Sequence, residues 1–216
     1  SKFNIKIAAD GSSASGKTTG AKLFSKKYGI KFLSSGLLYR YSSYLIIKYK
    51  PKNKHIFLKK KFRKFSLSYL KNKNLHTPEI SELSSIIAKK KEIRDILKHF
   101  QKNFVKKNRK VCIEGRDIGT VIMPNADIKF FFTCNLNTAA KRRFNDLKKK
   151  NPKIKFADVK KAMRIRDNLD RSRRISPLTK PKNAVIVPTD KLKNINGMIN
   201  KMSNVLESVI KKKYGS

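Results

Sequence analysis

The sequence predicts an α/β protein with a five-stranded parallel sheet flanked by helices. Five short apolar runs have the length and composition of buried strands, and stretches with helical spacing separate them. The first run leads directly into a Gly/Ser-rich turn and then a helical segment, an order typical of a parallel α/β unit. With 216 residues, the chain is long enough to bury a sheet of this kind.

The order of the elements follows from local signals. Gly29 is the expected left-handed end of the first helix, Pro51 follows the second, and Thr77-Pro78 is a typical helix start. The predicted strands are residues 5–9, 30–33, 111–113, 128–133 and 184–187. The predicted helices are residues 17–28, 37–49, one helical face over 80–104, 136–149, 156–171 and 195–213.

Residues 50–76 differ in character from the rest of the chain. They are rich in lysine, and residues 65–69 alternate between apolar and polar side chains. A polar turn is predicted at residues 71–74. We therefore expect a small β-hairpin insert here, and a turn at residues 34–36 just before the second helix.

The charge balance is strongly basic. Lys and Arg number 54 against 14 Asp and Glu, a net charge of +40, which usually points to nucleic acid or an anionic membrane. However, 42 of the 54 cations are lysines dispersed over nearly every segment. The dispersal favours a compositional bias over a polyanion-binding surface.

Several function classes are disfavoured. No apolar run approaches the ~18 residues of a membrane span, and no signal peptide is predicted before the first strand. Cys112 and Cys134 lie in apolar runs, and the three histidines form no triad or ligand spacing. A disulfide scaffold, a zinc protein, a membrane protein and a His-based hydrolase are all disfavoured, and a cytoplasmic α/β protein is expected.

The turn after the first strand carries the strongest motif. Gly11-Ser-Ser-Ala-Ser-Gly16-Lys17-Thr18 matches G-x-x-x-x-G-K-[ST] in full, with a strand before it and a helix after it. Its backbone N–H groups and the helix N-terminus suit a phosphate. Lys17 is expected to reach the β- and γ-phosphates, and the Thr18 hydroxyl to bind Mg²⁺.

Arginines cluster where a second phosphate-bearing ligand is expected. Because lysine is the common cation here, arginine stands out, and its planar fork suits phosphate oxygens. Five of the twelve arginines fall within residues 164–174. The other groups are Ser35 to Arg40 at the carboxyl end of the second strand, Ser85 with Arg94, and Gly115 to Thr120 after the third strand.

In combination these motifs resemble those of bacterial cytidylate kinases. The matching segments are residues 10–17, 35–40, 115–120 and 166–178, and the resemblance covers almost the whole chain. It implies a P-loop nucleoside monophosphate kinase fold with a small inserted acceptor-binding domain and an arginine-rich lid. It divides the chain into a core of residues 1–36, 107–155 and 175–216, an insert of about 37–106, and a lid of about 156–174.

The resemblance also implies the site residues. It assigns catalysis to Lys17, Arg166, Arg171 and Arg173. It assigns ATP to Gly11, Ser12, Ser13, Ala14, Ser15, Gly16, Lys17, Thr18, Thr19 and Arg142, the last against the adenine. It assigns CMP to Ser35, Arg40, Ser85, Arg94, Arg116, Asp117, Arg166, Asp170 and Arg173.

The implied reaction moves the ATP γ-phosphoryl group to CMP or dCMP, for pyrimidine nucleotide supply. Arg116 and Asp117 are expected near the cytosine edge and Asp170 at the ribose. The implied cofactors are ATP and Mg²⁺, with no specific nucleic acid or membrane partner and a monomeric protein. The chain departs from the family at Ser34, Glu114 and Leu169, and its insert is shorter.

Two alternatives remain open from the residues alone. A P-loop kinase for another small acceptor, such as UMP or AMP, would share the phosphate loop, although Gly115-Arg116-Asp117 favours cytidine. A nucleic-acid-associated P-loop protein would use the +40 charge to hold a polyanion, but no helix-turn-helix, zinc-finger or base-stacking motif is found.

Overall fold

A computed structural model of the chain describes residues 3–71, 74–149, 151–192 and 194–215. The chain divides into two compact units. The first, here called the sheet unit, contains the residues up to Leu33 and those from Asn108 onward. The second, here called the insert unit, is Ser34–Lys107. Each unit is described by itself.

Within these residues, one five-stranded sheet forms the centre of the sheet unit. Its spatial order is β2-β3-β1-β4-β5, and β1 pairs in parallel with both β3 and β4. β4 in turn pairs in parallel with β5. The strands are β1 Ile5–Gly11, β2 Lys31–Ser34, β3 Lys110–Gly115, β4 Ile128–Thr133 and β5 Val185–Pro188. The predicted α/β fold with a parallel five-stranded sheet is confirmed.

Eight α-helices occur in the described residues, two more than the six that the sequence predicts. They are α1 Lys17–Lys27, α2 Ser35–Tyr49, α3 Lys54–Arg63, α4 Pro78–Ile87, α5 Lys91–Lys107, α6 Leu136–Lys148, α7 Phe156–Ser172 and α8 Ile195–Tyr214. Asparagine side chains cap α6 and α8, because the Asn135 and Asn194 oxygens accept backbone N–H bonds from Thr138 and Gly197. A short π-helical turn, Ile118–Ile122, follows β3.

The core of the sheet unit lies between the sheet and helices α1 and α8. Phe130, Phe132 and Phe24 are fully buried in it with aliphatic residues of β1. A Cβ added to Gly20 of α1 would lie 2.8 Å from the Met198 sulfur of α8, so the two helices pack closely. This packing fixes α1, whose first turn is the end of the phosphate loop.

The insert unit is helical, so the predicted hairpin over residues 50–76 is wrong. α3 occupies Lys54–Arg63, and a 3-10 turn occupies Leu67–Leu70. The alternating residues do not face the two sides of a strand. Phe65 and Tyr69 instead join an aromatic cluster with Tyr41, Phe62 and Phe100, with ring centroids 4.9 to 6.5 Å apart. Part of the predicted 71–74 turn, residues 72–73, lies outside the described residues.

Two further boundaries of the insert unit differ from prediction. Residues 80–104 form two helices, because Lys89 and Lys90 bond back to the Ile86 and Ile87 carbonyls and close α4 with tight turns. The predicted turn at residues 34–36 belongs to α2, which already begins at Ser35. Ser34 is its N-cap, and the Ser34 hydroxyl accepts the Leu37 N–H at 3.3 Å.

A bilayer crossing needs a long apolar helix. Among the residues that the structure describes, no helix combines the length and the hydropathy that such a crossing requires.

Candidate active site

The phosphate loop connects β1 to α1 at the carboxyl edge of the sheet. Gly16 has φ 82°, a left-handed conformation that suits glycine. Gly11 is required for space, because a Cβ there would lie 2.5 Å from the Phe132 carbonyl oxygen. The Ser15 hydroxyl donates to the Ser12 carbonyl at 2.9 Å and braces the loop from within. The sequence therefore forms the loop that its motif predicted.

Lys17 lies folded over this loop. Its ammonium donates to the Ser12 carbonyl at 3.1 Å and lies 4.0 Å from a Glu114 carboxylate oxygen. Only 7% of Lys17 is exposed. Burial, together with the positive charge of Arg116, lowers the pKa of Lys17 to about 7. A phosphate group binding in the loop would favour the charged form.

Glu114 ends β3 beside the first turn of α1. It is 3% exposed, and its Oε1 accepts a hydrogen bond from the Thr18 hydroxyl at 3.1 Å. This pairs a hydroxyl with a carboxylate, and both are hard oxygen ligands of the kind Mg²⁺ prefers. No set of three or more His, Cys, Asp and Glu side chains with metal-binding geometry occurs in the described ranges.

Asp10 lies behind the loop, at the end of β1. It is fully buried, and its two carboxylate oxygens accept the backbone N–H groups of Ile118 and Gly119 at 2.8 and 2.7 Å. Burial raises the pKa of Asp10 to about 7, although the two backbone bonds oppose the shift. Asp10 thus fastens the turn that follows Arg116 and Asp117.

Helix α7 is linked to the phosphate loop directly through Asp167 and indirectly through Arg116. The Ser13 N–H donates to Asp167 Oδ1 at 2.9 Å. Arg116 donates from Nη2 to the Ser13 hydroxyl at 3.2 Å and from Nε to Asp170 Oδ2 at 2.8 Å. Three of the predicted substrate groups are therefore linked, because Arg173 also donates to Asp170, at 3.4 Å.

The charged side chains of this group shift one another's pKa values. Although burial raises the pKa of Asp170, the charges of Arg116 and Arg173 outweigh burial and hold it below the usual value. Burial and the neighbouring Arg116 lower the pKa of Arg166. The buried Arg166 Nε has no hydrogen-bond partner among the described residues. An anion placed here would complete the hydrogen bonding of Arg166.

A cleft of about 220 Å³ opens beside the loop, between α6 and α7. It is lined by Ser12, Ser13, Cys134, Leu136, Ala139, Arg164, Asp167, Asn168 and Arg171. The predicted catalytic Arg171 is exposed and lines this cleft together with Ser12 and Ser13 of the phosphate loop. Arg142, predicted to face the adenine, lies near this cleft and donates to Cys134 Sγ at 3.5 Å.

The predicted residues of the insert unit lie on three of its helices. Arg40 of α2 donates to the Leu75 carbonyl and the Ser81 hydroxyl at 2.9 and 2.7 Å. Buried Arg94 of α5 donates to the Ala88 carbonyl at 2.9 Å, and its guanidinium lies 5.6 Å from the Tyr39 ring centroid. The remaining two predicted residues are Ser35, the first residue of α2, and Ser85, whose hydroxyl donates to Ser81 within α4.

The sheet unit brings together most of its predicted site residues. Lys17 and Thr18 share Glu114, and Arg116, Asp170 and Arg173 form one hydrogen-bonded group. Thr19 is exposed in the first turn of α1, and Asp117 is buried at the start of the π-helical turn.

Four polar residues of the site were not predicted as site residues. Asp167 bonds to the loop, Asp10 anchors the π-helical turn, Glu114 accepts the Thr18 hydroxyl, and Thr189 follows β5. A signal existed for Asp10 and Thr189, because each polar side chain lies at the carboxyl end of an apolar strand.

Solved structures of small-molecule kinases share this fold. A shikimate kinase from Bacteroides thetaiotaomicron matches with a TM-score of 0.54 at 15% identity, over 94% of this chain and 98% of that one. A gluconokinase from Sinorhizobium meliloti matches with a TM-score of 0.53 at 12% identity, over 99% and 100%. At such identities the likeness concerns the fold alone.

Relatives matched by sequence have higher identity to this chain than these solved structures do. Proteins named cytidylate kinase from Thermosipho melanesiensis and Fervidobacterium nodosum are 34% and 32% identical, each over 95% of this chain and over 98% and 97% of those proteins. The relative of the same name from Clostridium tetani is 32% identical over 99% of this chain and 98% of its own length. The family model described as cytidylate kinase matches residues 7–208. The chain therefore belongs to the cytidylate kinase family.

Proposed function

We propose that the chain transfers the γ-phosphoryl group of ATP to CMP or dCMP, giving ADP and CDP or dCDP. The observation that carries this function is the phosphate loop of the sheet unit, contacted directly by lid helix α7 and by Arg116. ATP is the donor that the family implies. Membership of the family supports a cytidine nucleotide as the acceptor.

The reaction needs no dedicated general base. The attacking atom is a phosphate oxygen of the acceptor, which is already anionic at neutral pH. Catalysis therefore depends on placing the two substrates in line and on neutralising the charge of the transferring group. We assign this neutralisation to Lys17 and to Arg166, Arg171 and Arg173 of the lid region. Asp170 pairs with Arg173 and with Arg116, and so orients one of these lid guanidinium groups and the proposed acceptor-binding Arg116 before substrate arrives.

We further propose that Thr18 and Glu114 hold Mg²⁺. Their oxygens are 3.1 Å apart, and Mg²⁺ in kinases binds through one or two protein oxygens together with substrate phosphates and water. When bound, the ion supplies positive charge to the phosphates of ATP. The glutamate at position 114, where the family usually has aspartate, still presents its carboxylate at the loop.

For the acceptor, we propose that Arg116 and Asp117 recognise the cytosine edge and that Asp170 binds the ribose. The insert unit would supply Ser35, Arg40, Ser85 and Arg94, of which the two arginines suit the acceptor phosphate. We infer that the insert unit is the acceptor-binding part and that residues 156–174 form the lid. We expect a monomer that acts in the cytoplasm, where its nucleotide substrates are found.

The first test is a coupled assay of ADP release with ATP and Mg²⁺. CMP, dCMP, UMP, AMP and no acceptor are offered in parallel. We expect strong turnover with CMP and dCMP and little without acceptor. Turnover with UMP or AMP in their place would retain the kinase and reject the cytidine assignment. Absence of acceptor-dependent turnover would reject the proposed function.

A matched pair of variants tests the specificity residues. Arg116→Met removes a guanidinium from the site, whereas Arg63→Met removes an exposed one at the end of α3. We expect the KM for CMP to rise at least about tenfold in the first variant, the scale of one charged hydrogen bond. We expect no comparable change in the second. Equal behaviour of the two variants would remove Arg116 from the acceptor site.

A further inference from the structure

Thr189 stands directly after β5, behind the phosphate loop. It is 7% exposed. Its hydroxyl donates to the Ser15 carbonyl at 2.8 Å and accepts a hydrogen bond from Arg142 Nη1 at 3.0 Å. One hydroxyl therefore joins the backbone of the phosphate loop to an arginine near the cleft.

Thr189 contacts Arg142 a second time. Its carbonyl oxygen accepts a bond from Arg142 Nη2 at 2.9 Å, so that both terminal nitrogens of the guanidinium bond to one residue. Such a two-point bond fixes the plane of the group as well as its position. Thr189 is itself fixed, because its N–H donates to the Thr133 carbonyl of β4 at 2.9 Å.

The threonine methyl group faces the loop from the same side. A Cβ added at Gly16 would lie 3.4 Å from this methyl carbon, an ordinary van der Waals distance. The glycine with φ 82° therefore lies against Thr189. A single side chain therefore bonds to the loop at Ser15 and lies beside it at Gly16.

We propose that Thr189 is a positioning residue of the ATP site, which holds the phosphate loop and Arg142 in one rigid arrangement and so sets the affinity for ATP. The proposal rests on the proposed function, in which the loop binds the ATP phosphates and Arg142 lies against the adenine. Thr189 contacts neither the reacting atoms nor the acceptor; it acts through the loop and Arg142.

The experiment compares Thr189→Val with Thr189→Ser. Valine keeps the shape and removes the hydroxyl, whereas serine keeps the hydroxyl and removes the methyl. ATP binding is measured by calorimetry without acceptor, and KM and kcat are measured with CMP. We expect Thr189→Val to weaken ATP binding about tenfold, the effect of losing one hydrogen bond to a charged group. Thr189→Ser should retain most of the affinity, and the KM for CMP at saturating ATP should stay unchanged in both.

A double-mutant cycle with Arg142→Met tests whether Thr189 acts through the arginine. We expect the double variant to lose less ATP affinity than the product of the two single losses. A loss equal to that product would overturn the coupling, and unchanged ATP affinity in Thr189→Val would overturn the proposal. A parallel rise in the KM for ATP and for CMP, with a lower Tm, would reduce Thr189 to a structural residue and also overturn it.

Two features keep this test decisive. Should Thr189→Val fail to fold, Thr189→Ala removes the hydroxyl without adding volume at the site, and the same outcomes apply to it. Calorimetry without acceptor also separates the two hypotheses. If the wild-type protein binds ATP but does not phosphorylate CMP, the acceptor assignment fails while the Thr189 comparison is still measured.

Discussion

The ends of strands β1 and β3 each bury one acidic side chain, but their surroundings differ. At the end of β1, both oxygens of Asp10 accept backbone N–H groups, from Ile118 and Gly119. At the end of β3, Glu114 meets side chains instead, the Thr18 hydroxyl and the Lys17 ammonium. The exposed fractions are nearly the same, 0% for Asp10 and 3% for Glu114.

The difference lies in what each partner can do. Backbone N–H groups are fixed by the chain, so Asp10 holds the turn after Arg116 and Asp117 in one conformation. Side chains can change partners, and the proposed function requires this of Glu114 and of Lys17, which would turn toward a phosphate. Burial alone therefore does not distinguish a structural acid from one with the proposed role in metal binding; the nature of its partners does.

The largest expected effect concerns Lys17, the cation on the reactive side of this comparison. Lys17→Ala removes the only ammonium that bonds within the phosphate loop in the described structure. We expect kcat to fall about 1000-fold, as for loss of a group that stabilises transition-state charge. The measurement is the coupled ADP assay with CMP. Near-normal turnover in this variant would contradict the assignment of the loop.

Glu114→Gln tests the proposed metal-binding role of Glu114 directly. The amide keeps the size and can still accept from Thr18, but it carries no charge for Mg²⁺. We expect the Mg²⁺ concentration for half-maximal rate to rise 10- to 100-fold, the range typical of losing a group that supports a metal site. Mg²⁺ titration of the rate is the measurement. An unchanged Mg²⁺ dependence would place Glu114 with Asp10 as a structural acid.

The pH dependence of ATP binding tests the charge of Lys17. In the empty site the pKa of Lys17 is lowered to about 7, while the bound triphosphate favours the charged form. Binding above pH 7 must therefore take up a proton, and ATP affinity should fall by up to about tenfold for each pH unit. Calorimetry in two buffers of different ionisation enthalpy measures the uptake. No proton uptake at pH 8 would contradict a lowered pKa.

Asp10→Ala is expected to have the smallest effect on the chemistry and a clear effect on stability. Two buried N–H groups lose their acceptor, so the free energy of unfolding should fall by about 2–4 kcal/mol. Chemical denaturation measures this change. The Mg²⁺ dependence of the rate should match wild type, in contrast to that of Glu114→Gln. A shifted Mg²⁺ dependence would contradict the purely structural role of Asp10.

The same variant tests the pKa of Asp10, which is raised from 3.8 to about 7. Between these values the folded state holds a proton that the unfolded state has released. The part of the stability that depends on this proton is therefore full below about pH 4 and is lost as the pH rises through about 7, whereas the two backbone hydrogen bonds contribute separately. Unfolding measured across this range should lose that slope in Asp10→Ala. An unchanged slope would assign it to other groups.

The sequence predicted the sheet and the phosphate loop because both depend on local chemistry. The five strands are apolar runs, and the loop follows from the spacing of Gly11, Gly16 and Lys17. The insert unit was harder to predict. The alternation at Phe65–Tyr69 resembles a strand, but it arises from aromatic packing against Tyr41 and Phe100. No Gly or Pro marks the break between α4 and α5, so it left no signal in the sequence.

The candidate site was predictable by residue type but not by partner. The arginine-rich segment was evident, whereas the pairing of Arg116 with Asp170 joins residues 54 positions apart. Asp167 at the Ser13 N–H and Thr189 at the Ser15 carbonyl are separated from the loop by 154 and 174 positions. Contacts of this kind are set by the packing of the whole unit, and no local pattern encodes them.

The 174 positions between Ser15 and Thr189 also have a consequence for synthesis of the protein. The phosphate loop lies near the start of the sequence, yet its support emerges late from the ribosome. At about 5–20 residues per second, translation reaches Thr189 roughly 10–35 s after Ser15. β1 likewise cannot form its pairing with β3 until later residues have been synthesised, since Ile5 pairs with Lys110. A nascent chain stalled before residue 189 should therefore retain little affinity for ATP, although its motif is already complete.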